Sequence, residues 1–349
     1  MMFCILTGGN VDLSVGSIVA LVSAMSGLLT TTLGLAPWLS IIISTLVGLL
    51  AGMWQGFWIA FVKVPPFITT LAGMLVFRGI NNIILNGQTL PLSGLYITIG
   101  TGSVPDIAPN TIPDFLHIGD LLNLQNKPDF LNVTMLISGL ALSILYVLVI
   151  FTTRKSKQAR GYEVASFKSI LVKAISLFIV INTFTYWLAM DDGLPIMLIL
   201  LAILYAIYTF IATKTIPGRH IYAMGGNIKA AELSGINTRK MMFLVYSNMG
   251  LLAGVAGIVT AGRLMASSPN VGANFELDAI GACFIGGASA YGGVGTIWGA
   301  IVGAFIMGVM NNGMSIIGLN VFLQSVAKGM VVLLAVAFDM YSKSKSRLG

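Results

Sequence analysis

The sequence predicts an all-α, polytopic bundle of membrane-spanning helices. Three observations carry that prediction. Of 349 residues, 56% are hydrophobic and only 9% charged, with a mean hydropathy of +0.92, whereas a soluble domain carries about 25% charge. Several apolar runs reach the roughly 18 residues a helix needs to cross a bilayer, and none shows the short alternation of a membrane barrel. The few charges are also segregated, basic in some connecting segments and acidic in another.

The first element is a break ahead of a span. "GGNVDLSVGS", residues 8–17, sets Asp12 among glycines just before an apolar run. A carboxylate costs roughly 2.5–3.5 kcal/mol at the centre of a spanning helix. Asp12 is therefore expected to cap the helix that begins two residues later, with contact along a transport path as its second role. Spans follow near residues 15–34, 38–62 and 65–85.

Residues 86–131 are rich in Pro, Gly, Asn and Asp and hold Asp106, Asp114, Asp120 and Asp129 against one lysine, Lys127. They predict a small folded cap made of short turns. Further spans are placed near 131–152, 169–190 and 194–213, then 241–262, 296–314 and 320–338. Residues 276–291, "ELDAIGACFIGGASAY", are too short and glycine-rich for an ordinary span. A broken or re-entrant helix packed inside the protein is expected there, on the transport path.

Most of the 19 Lys and Arg residues fall in three segments, 153–168, 214–240 and the tail 343–347. The positive-inside rule makes these three cytoplasmic, the C-terminus included, and places the 86–131 loop outside. The parity of crossings agrees when 276–291 counts as one inward passage. The net charge of +7 thus reads as topology, and no nucleic-acid partner is expected.

Cys4 and Cys283 sit in apolar contexts, without a CxxC or a histidine cluster, so neither a disulfide framework nor a metal site is predicted. No GxxxxGK[ST] stretch is present, and "GGN" at 225–227 is too weak a phosphate cradle to support ATP hydrolysis by this chain. No nucleophile, base and orienter combination marks an enzyme. "SVGSIVA" at 14–20 resembles "GVGTIWGA" at 293–300, and each follows a glycine pair, as in transporters built from duplicated halves. On that reading the chain starts late, with an N-terminal helix region missing.

The segment "GRHIYAMGGNIKAAELSGI", 218–236, breaks at Gly225, Gly226 and Asn227, and "IKAAELSGI" then reads as a short helix stopped by Gly235. That segment, together with 266–318 and "GGNVDLSVGS", closely resembles the permeases of bacterial ABC monosaccharide importers, across essentially the whole chain. The central stretch at roughly 154–192 makes it similar to the xylose or multiple-sugar type, within the branched-chain amino acid and ribose permease superfamily.

The resemblance implies one transmembrane permease domain over 1–349 in the bacterial inner membrane, paired as a homodimer. It also implies a periplasmic sugar-binding protein and a separate ATP-binding subunit that holds ATP and Mg, with no cofactor in this chain and lipid around it. A coupling helix within 217–237 would dock in the ATPase, drawing on Gly218, Tyr222, Gly225, Gly226, Asn227, Ala230, Ala231, Ser234 and Gly235.

An uncharged sugar needs neutral donors and acceptors along its path. Candidates are Asn10, Asp12, Ser14, Ser17, Asn81, Asn82, Glu276, Asp278, Asn311 and Asn312. Helix capping and interhelical bonding are the structural alternatives for each. Arg78 and Lys328 interrupt apolar runs, either snorkelling or pairing with a carboxylate. A branched-chain amino acid permease would call for a paired acid and base on the path, and a secondary transporter for mid-membrane carboxylates; the sequence discloses no such pair and few such carboxylates.

Overall fold

The computed structural model describes residues 1–109, 111–113, 130–161, 166–191 and 193–347. They fall into two compact units, Met1–Gly100 with Leu200–Gly349, and Thr101–Ile199. Among the described residues, nine helices are long and apolar enough to cross a membrane, and they coincide with the nine predicted spans. The all-α polytopic class holds.

The first unit opens with a short helix, α1 (Met2–Leu6), then α2 (Val15–Gly27), α3 (Pro37–Phe57), α4 (Pro66–Leu85) and α5 (Leu95–Thr101). The ends of α2 and α3 each widen by one turn, to Thr32 and Val62. α2 is the central helix: 72% of its apolar window is buried, by α3, α4 and a later helix, α11 (Thr238–Arg263). Gly48 and Gly52 of α3 face Gly250 and Gly254 of α11, a small-residue seam that brings two backbones together without a hydrophobic driving force.

The second unit is built on the hairpin α6 (Val133–Ala159) and α7 (Phe167–Ala189). Its strands β2 (Ile112–Pro113) and β3 (Phe130–Leu131) pair antiparallel. Asn132 accepts the Met135 amide at 3.0 Å, while the Asp106 carboxylate accepts the Val133 and Thr134 amides at 3.1 and 3.0 Å. Four orphan amides begin any helix, and here two side chains satisfy three of them. For Asp106 a small burial cost is outweighed by these bonds and those from Ala108 and the Thr134 hydroxyl, so its carboxyl lies below the ordinary value.

α8 (Ile196–Lys214) leads back into the first unit, followed by α9 (Ile216–Gly226), α10 (Ile228–Leu233), α11, α12 (Phe275–Ile285), α13 (Ile297–Ile316) and α14 (Val321–Arg347). Thr215, Asn227, Asn237 and Thr296 each accept a first-turn amide, so polar N-caps mark where the helices restart. α12 packs between α13 and α14.

Three expectations are corrected. The 86–131 segment is more than turns. It contains α5, whose Tyr96 hydroxyl meets Ser40 at 2.8 Å, and β1 (Leu90–Pro91), which pairs with β4 (Ala266–Ser267); Asp114, Asp120, Lys127 and Asp129 lie outside the described residues. The helix expected over 276–291 ends at Ile285, and a glycine-rich turn fills the rest. The break expected over Gly225, Gly226 and Asn227 narrows to Asn227 alone, because α9 runs through both glycines and Asn227 caps the next helix.

Candidate functional site

The predicted residues fall into three groups. The first is the segment 214–240. Tyr222 donates from its hydroxyl to the Gly295 carbonyl at 2.8 Å, tying α9 to the loop after α12. Gly218 packs on the carbonyls of Ile211 and Ala212, and Gly225 packs on the backbone of Leu6 and Gly293. The next residue, Gly226, faces open space. In α10 the Ala230 amide bonds Asn227 at 3.0 Å and Ser234 bonds the Ala230 carbonyl at 2.8 Å. Ala231 is buried, whereas Leu233 is 91% exposed. Gly235 then turns the chain in the left-handed region. The result is a short helix held by buried Ala231 and by the Glu232 carboxylate, which accepts the Thr238 hydroxyl at 2.6 Å, with Lys229 and Leu233 exposed.

The second group is the break at residues 8–17. Gly9 requires its glycine: φ is +74°, and an added Cβ would overlap the Ala290 carbonyl. Asn10 reaches Thr7 at 3.3 Å and Ser17 the Ser14 carbonyl at 2.7 Å. Asp12 does not cap α2 in the expected way. Its Oδ1 accepts both the amide and the hydroxyl of Ser14, at 2.8 and 2.6 Å, and Gln55 Nε2 donates to the same hydroxyl at 2.5 Å.

Asp12, Ser14, Ser17 and Gln55 are all fully buried. Burial raises the Asp12 carboxyl above its ordinary value, against the opposing bonds from Ser14. Asp12, Ser14 and Ser17 thus form the interior of the break, bridging α2 to α3, rather than the wall of an open path.

The third group is a polar pocket of about 750 Å³ lined by Arg78, Asn82, Asn270, Asn274 and Glu276, among others. Arg78 donates one guanidinium nitrogen to the carbonyls of Pro269 and Val271, at 3.2 and 2.7 Å, and Asn81 donates to Pro269 at 3.1 Å. The loop after α11 is thereby bound to α4. Asn82 and Glu276, both predicted path residues, share this wall; Asn81 lies behind it, fully buried.

Asp278 is withdrawn from the wall by Lys328, 3.0 Å away, the two side chains 23% and 13% exposed. The acid–base pair that the sequence did not disclose therefore exists, locked between α12 and α14. Asn311 and Asn312, near the end of α13, do not join the pocket. The pocket follows the C-terminal end of α11 and the 214–240 segment precedes its start. A helix of 26 residues separates them by about 39 Å, the full thickness of a bilayer with its headgroups.

A family model described as the branched-chain amino acid transport system / permease component matches residues 1–112 and 127–336. The chain belongs to this permease family. The permease is a multi-pass membrane protein and a transport subunit.

It is 38% identical to the xylose transport system permease protein XylH of Haemophilus influenzae, over 99% of this chain and 85% of that one. It is 38% identical to XylH of Escherichia coli, over 99% and 81%. To the ribose import permease protein RbsC of Bacillus subtilis it is 34% identical, over 97% and 79%. No solved structure matches significantly.

The permease also contains functional candidates that the sequence hid. Gln55 is one amide in a long apolar run, and its proximity to Asp12 depends on a contact 41 residues apart. Arg78 was visible as a charge in a span. Its partners at 269–271, however, are more than 190 residues away, and no local pattern signals them.

Proposed function

We propose that this permease is the membrane-spanning subunit of an ATP-driven importer that carries xylose or a related monosaccharide across the bacterial inner membrane by alternating access. The near full-length identity to permeases named for xylose and ribose transport carries the reading. The polar pocket beside Arg78 supports it, since a sugar needs hydroxyl-matching groups at its entry. The basic 214–240 segment faces the cytoplasm in this proposal, as does the C-terminus, and the pocket faces the periplasm, where a sugar-binding protein delivers substrate.

ATP and Mg belong to a separate ATP-binding subunit that docks on α9 and α10, and a second copy of the permease completes the path. Movement of the ATPase pair shifts the population between inward-open and outward-open states. Uptake of labelled xylose, arabinose, galactose and leucine, in cells with the partner genes, tests the substrate: a pentose or hexose is expected to enter, and uptake of leucine alone would overturn the reading. Leu233→Glu is expected to abolish co-purification with the ATP-binding subunit without lowering the unfolding temperature. Retained co-purification would exclude α10 as the docking helix.

A further inference from the structure

The hairpin of α6 and α7 ends in a cluster of cations that the transport path does not use. Arg154, Lys155, Lys157 and Arg160 occupy the last turns of α6 and its C-cap, and Lys168 and Lys173 the first two turns of α7. The carboxylates described in this unit, Asp106 and Asp191, lie at the other end of the hairpin: Asp106 binds the first turn of α6, and Asp191 follows the end of α7. Among the described residues of the unit, no carboxylate neutralises the tip. Only 22% and 6% of the two apolar windows are buried, so the hairpin offers its sides to lipid.

The tip is also ordered by its side chains. The Arg154 guanidinium lies 5.3 Å from the centroid of the Phe167 ring, a cation–π contact that joins the end of one helix to the start of the other. Phe151 packs on the same ring at 6.1 Å. Lys173 is exposed and stands seven residues beyond the N-cap Ser166, about 10 Å along the axis. Helical side chains lean towards the N-terminus, which sends the Lys173 ammonium back towards the tip and the layer of Lys168. An ammonium at that depth is stabilised where it snorkels to an anion at the interface, and the free amides at the start of α7 add positive potential.

We propose that the tip of the α6–α7 hairpin binds the headgroup phosphate of an anionic phospholipid, with Arg154, Lys168 and Lys173 as the contacts and Phe167 as the platform that orients Arg154. Charge complementarity selects the occupant: residues 154–173 carry six cations against one carboxylate, Glu163, and at a membrane surface that excess matches an anionic lipid and gains nothing from a zwitterionic one.

Native mass spectrometry of the full chain, titrated with phosphatidylglycerol and in parallel with phosphatidylcholine, tests this. Phosphatidylglycerol is expected to bind preferentially, and Lys168→Gln with Lys173→Gln to weaken it about thirty-fold. Lys63→Gln with Lys214→Gln, which removes equal charge elsewhere, is expected to have little effect. Phe167→Leu keeps every charge and is expected to weaken binding several-fold, which keeps the proposal testable if the lysine pair impairs insertion. Equal retention of the two lipids would overturn the proposal, as would equal losses in the tip and control variants. So would unchanged lipid binding together with lost co-purification of the ATP-binding subunit, which would make the tip a protein contact.

Discussion

Gly225 and Gly226 are neighbours in one helix, yet the structure assigns them opposite tolerance. A Cβ on Gly225 would overlap the Leu6 carbonyl oxygen and the Gly293 amide nitrogen and stand 2.7 Å from Gly293 Cα, where carbon atoms ordinarily meet at about 3.5–4.0 Å. All three neighbours are main chain, so no rotamer change relieves the overlap, and the cost sits at the upper end of overpacking, about 3 kcal/mol. The Gly293 amide donates to the Leu6 carbonyl at 3.0 Å, and forcing that pair apart adds about 1 kcal/mol. Helix propensity returns about 1 kcal/mol. Gly225→Ala is therefore expected to destabilise by about 3 kcal/mol. Gly226→Ala, with nothing within 4 Å, is expected to be neutral or to gain up to about 1 kcal/mol. At roughly 2 °C per kcal/mol for a large domain, thermal unfolding in one detergent would place Gly225→Ala about 6 °C below the parent and Gly226→Ala at or slightly above it. Gly225→Ala unfolding with the parent would refute the close packing of α9 on the two breaks.

Lys328→Met strands the Asp278 carboxylate and is expected to cost about 2–3 kcal/mol, less than for a fully buried pair; adding Asp278→Asn should restore most of it, and a double-mutant cycle by thermal unfolding reads the coupling. Arg78→Lys keeps the charge but shortens the side chain that reaches the Pro269 and Val271 carbonyls, which one guanidinium nitrogen meets at 3.2 and 2.7 Å. It is expected to lose one charged hydrogen bond, about 1.5–3 kcal/mol, and to reduce sugar uptake more than it reduces stability; undiminished uptake would remove Arg78 from the entry. Asp12 has a folded pKa raised from 3.8, so its contribution is fully present below that value and is lost as pH rises through the folded value. Asp12→Asn cannot ionise, so its stability relative to the parent should increase over that rise, and an unfolding difference that stays flat with pH would show that Asp12 ionises freely.

The spans were legible because each is a continuous apolar run bounded by Pro, Gly or a polar cap. Pro37 and Pro66 open α3 and α4, and Asn132 and Asn237 cap α6 and α11. α5 was hidden because seven residues, "LYITIGT", are too few to show a helical period, and its contacts with α3 and α11 decide its conformation. Asp12 was legible as a charge that must be satisfied, and its proximity to a helix start suggested a cap. The competing local bond, an aspartate folding back on the amide and hydroxyl two residues on, prevailed because Gln55 completes the same hydroxyl. The pocket was half legible: Asn82 and Glu276 are polar residues at the ends of apolar elements, but the loop that closes the pocket is recruited by Arg78 from the far end of the chain.

The two glycine breaks that look alike in sequence meet in the structure. Gly292 packs on the backbone of Gly8, the Gly293 amide donates to the Leu6 carbonyl, and α9 touches both breaks through Gly225 and Tyr222. Leu6 leads through residues 8–17 into α2, the most buried span, while Gly295 leads into α13. A displacement of α9 and α10 therefore reaches α2 and α13 together, through the main-chain packing of Gly225 and the bond from the Tyr222 hydroxyl. Coupling needs a contiguous set of groups with discrete arrangements, and close-packed backbone yields by shifting as a unit rather than by deforming. If α10 is where the ATP-binding subunit pushes, the close main-chain packing at Gly225 is what turns a small movement at the membrane surface into a concerted movement of α2 and α13. Filling it at Gly225 should then uncouple ATP hydrolysis from uptake even at temperatures where the variant remains folded.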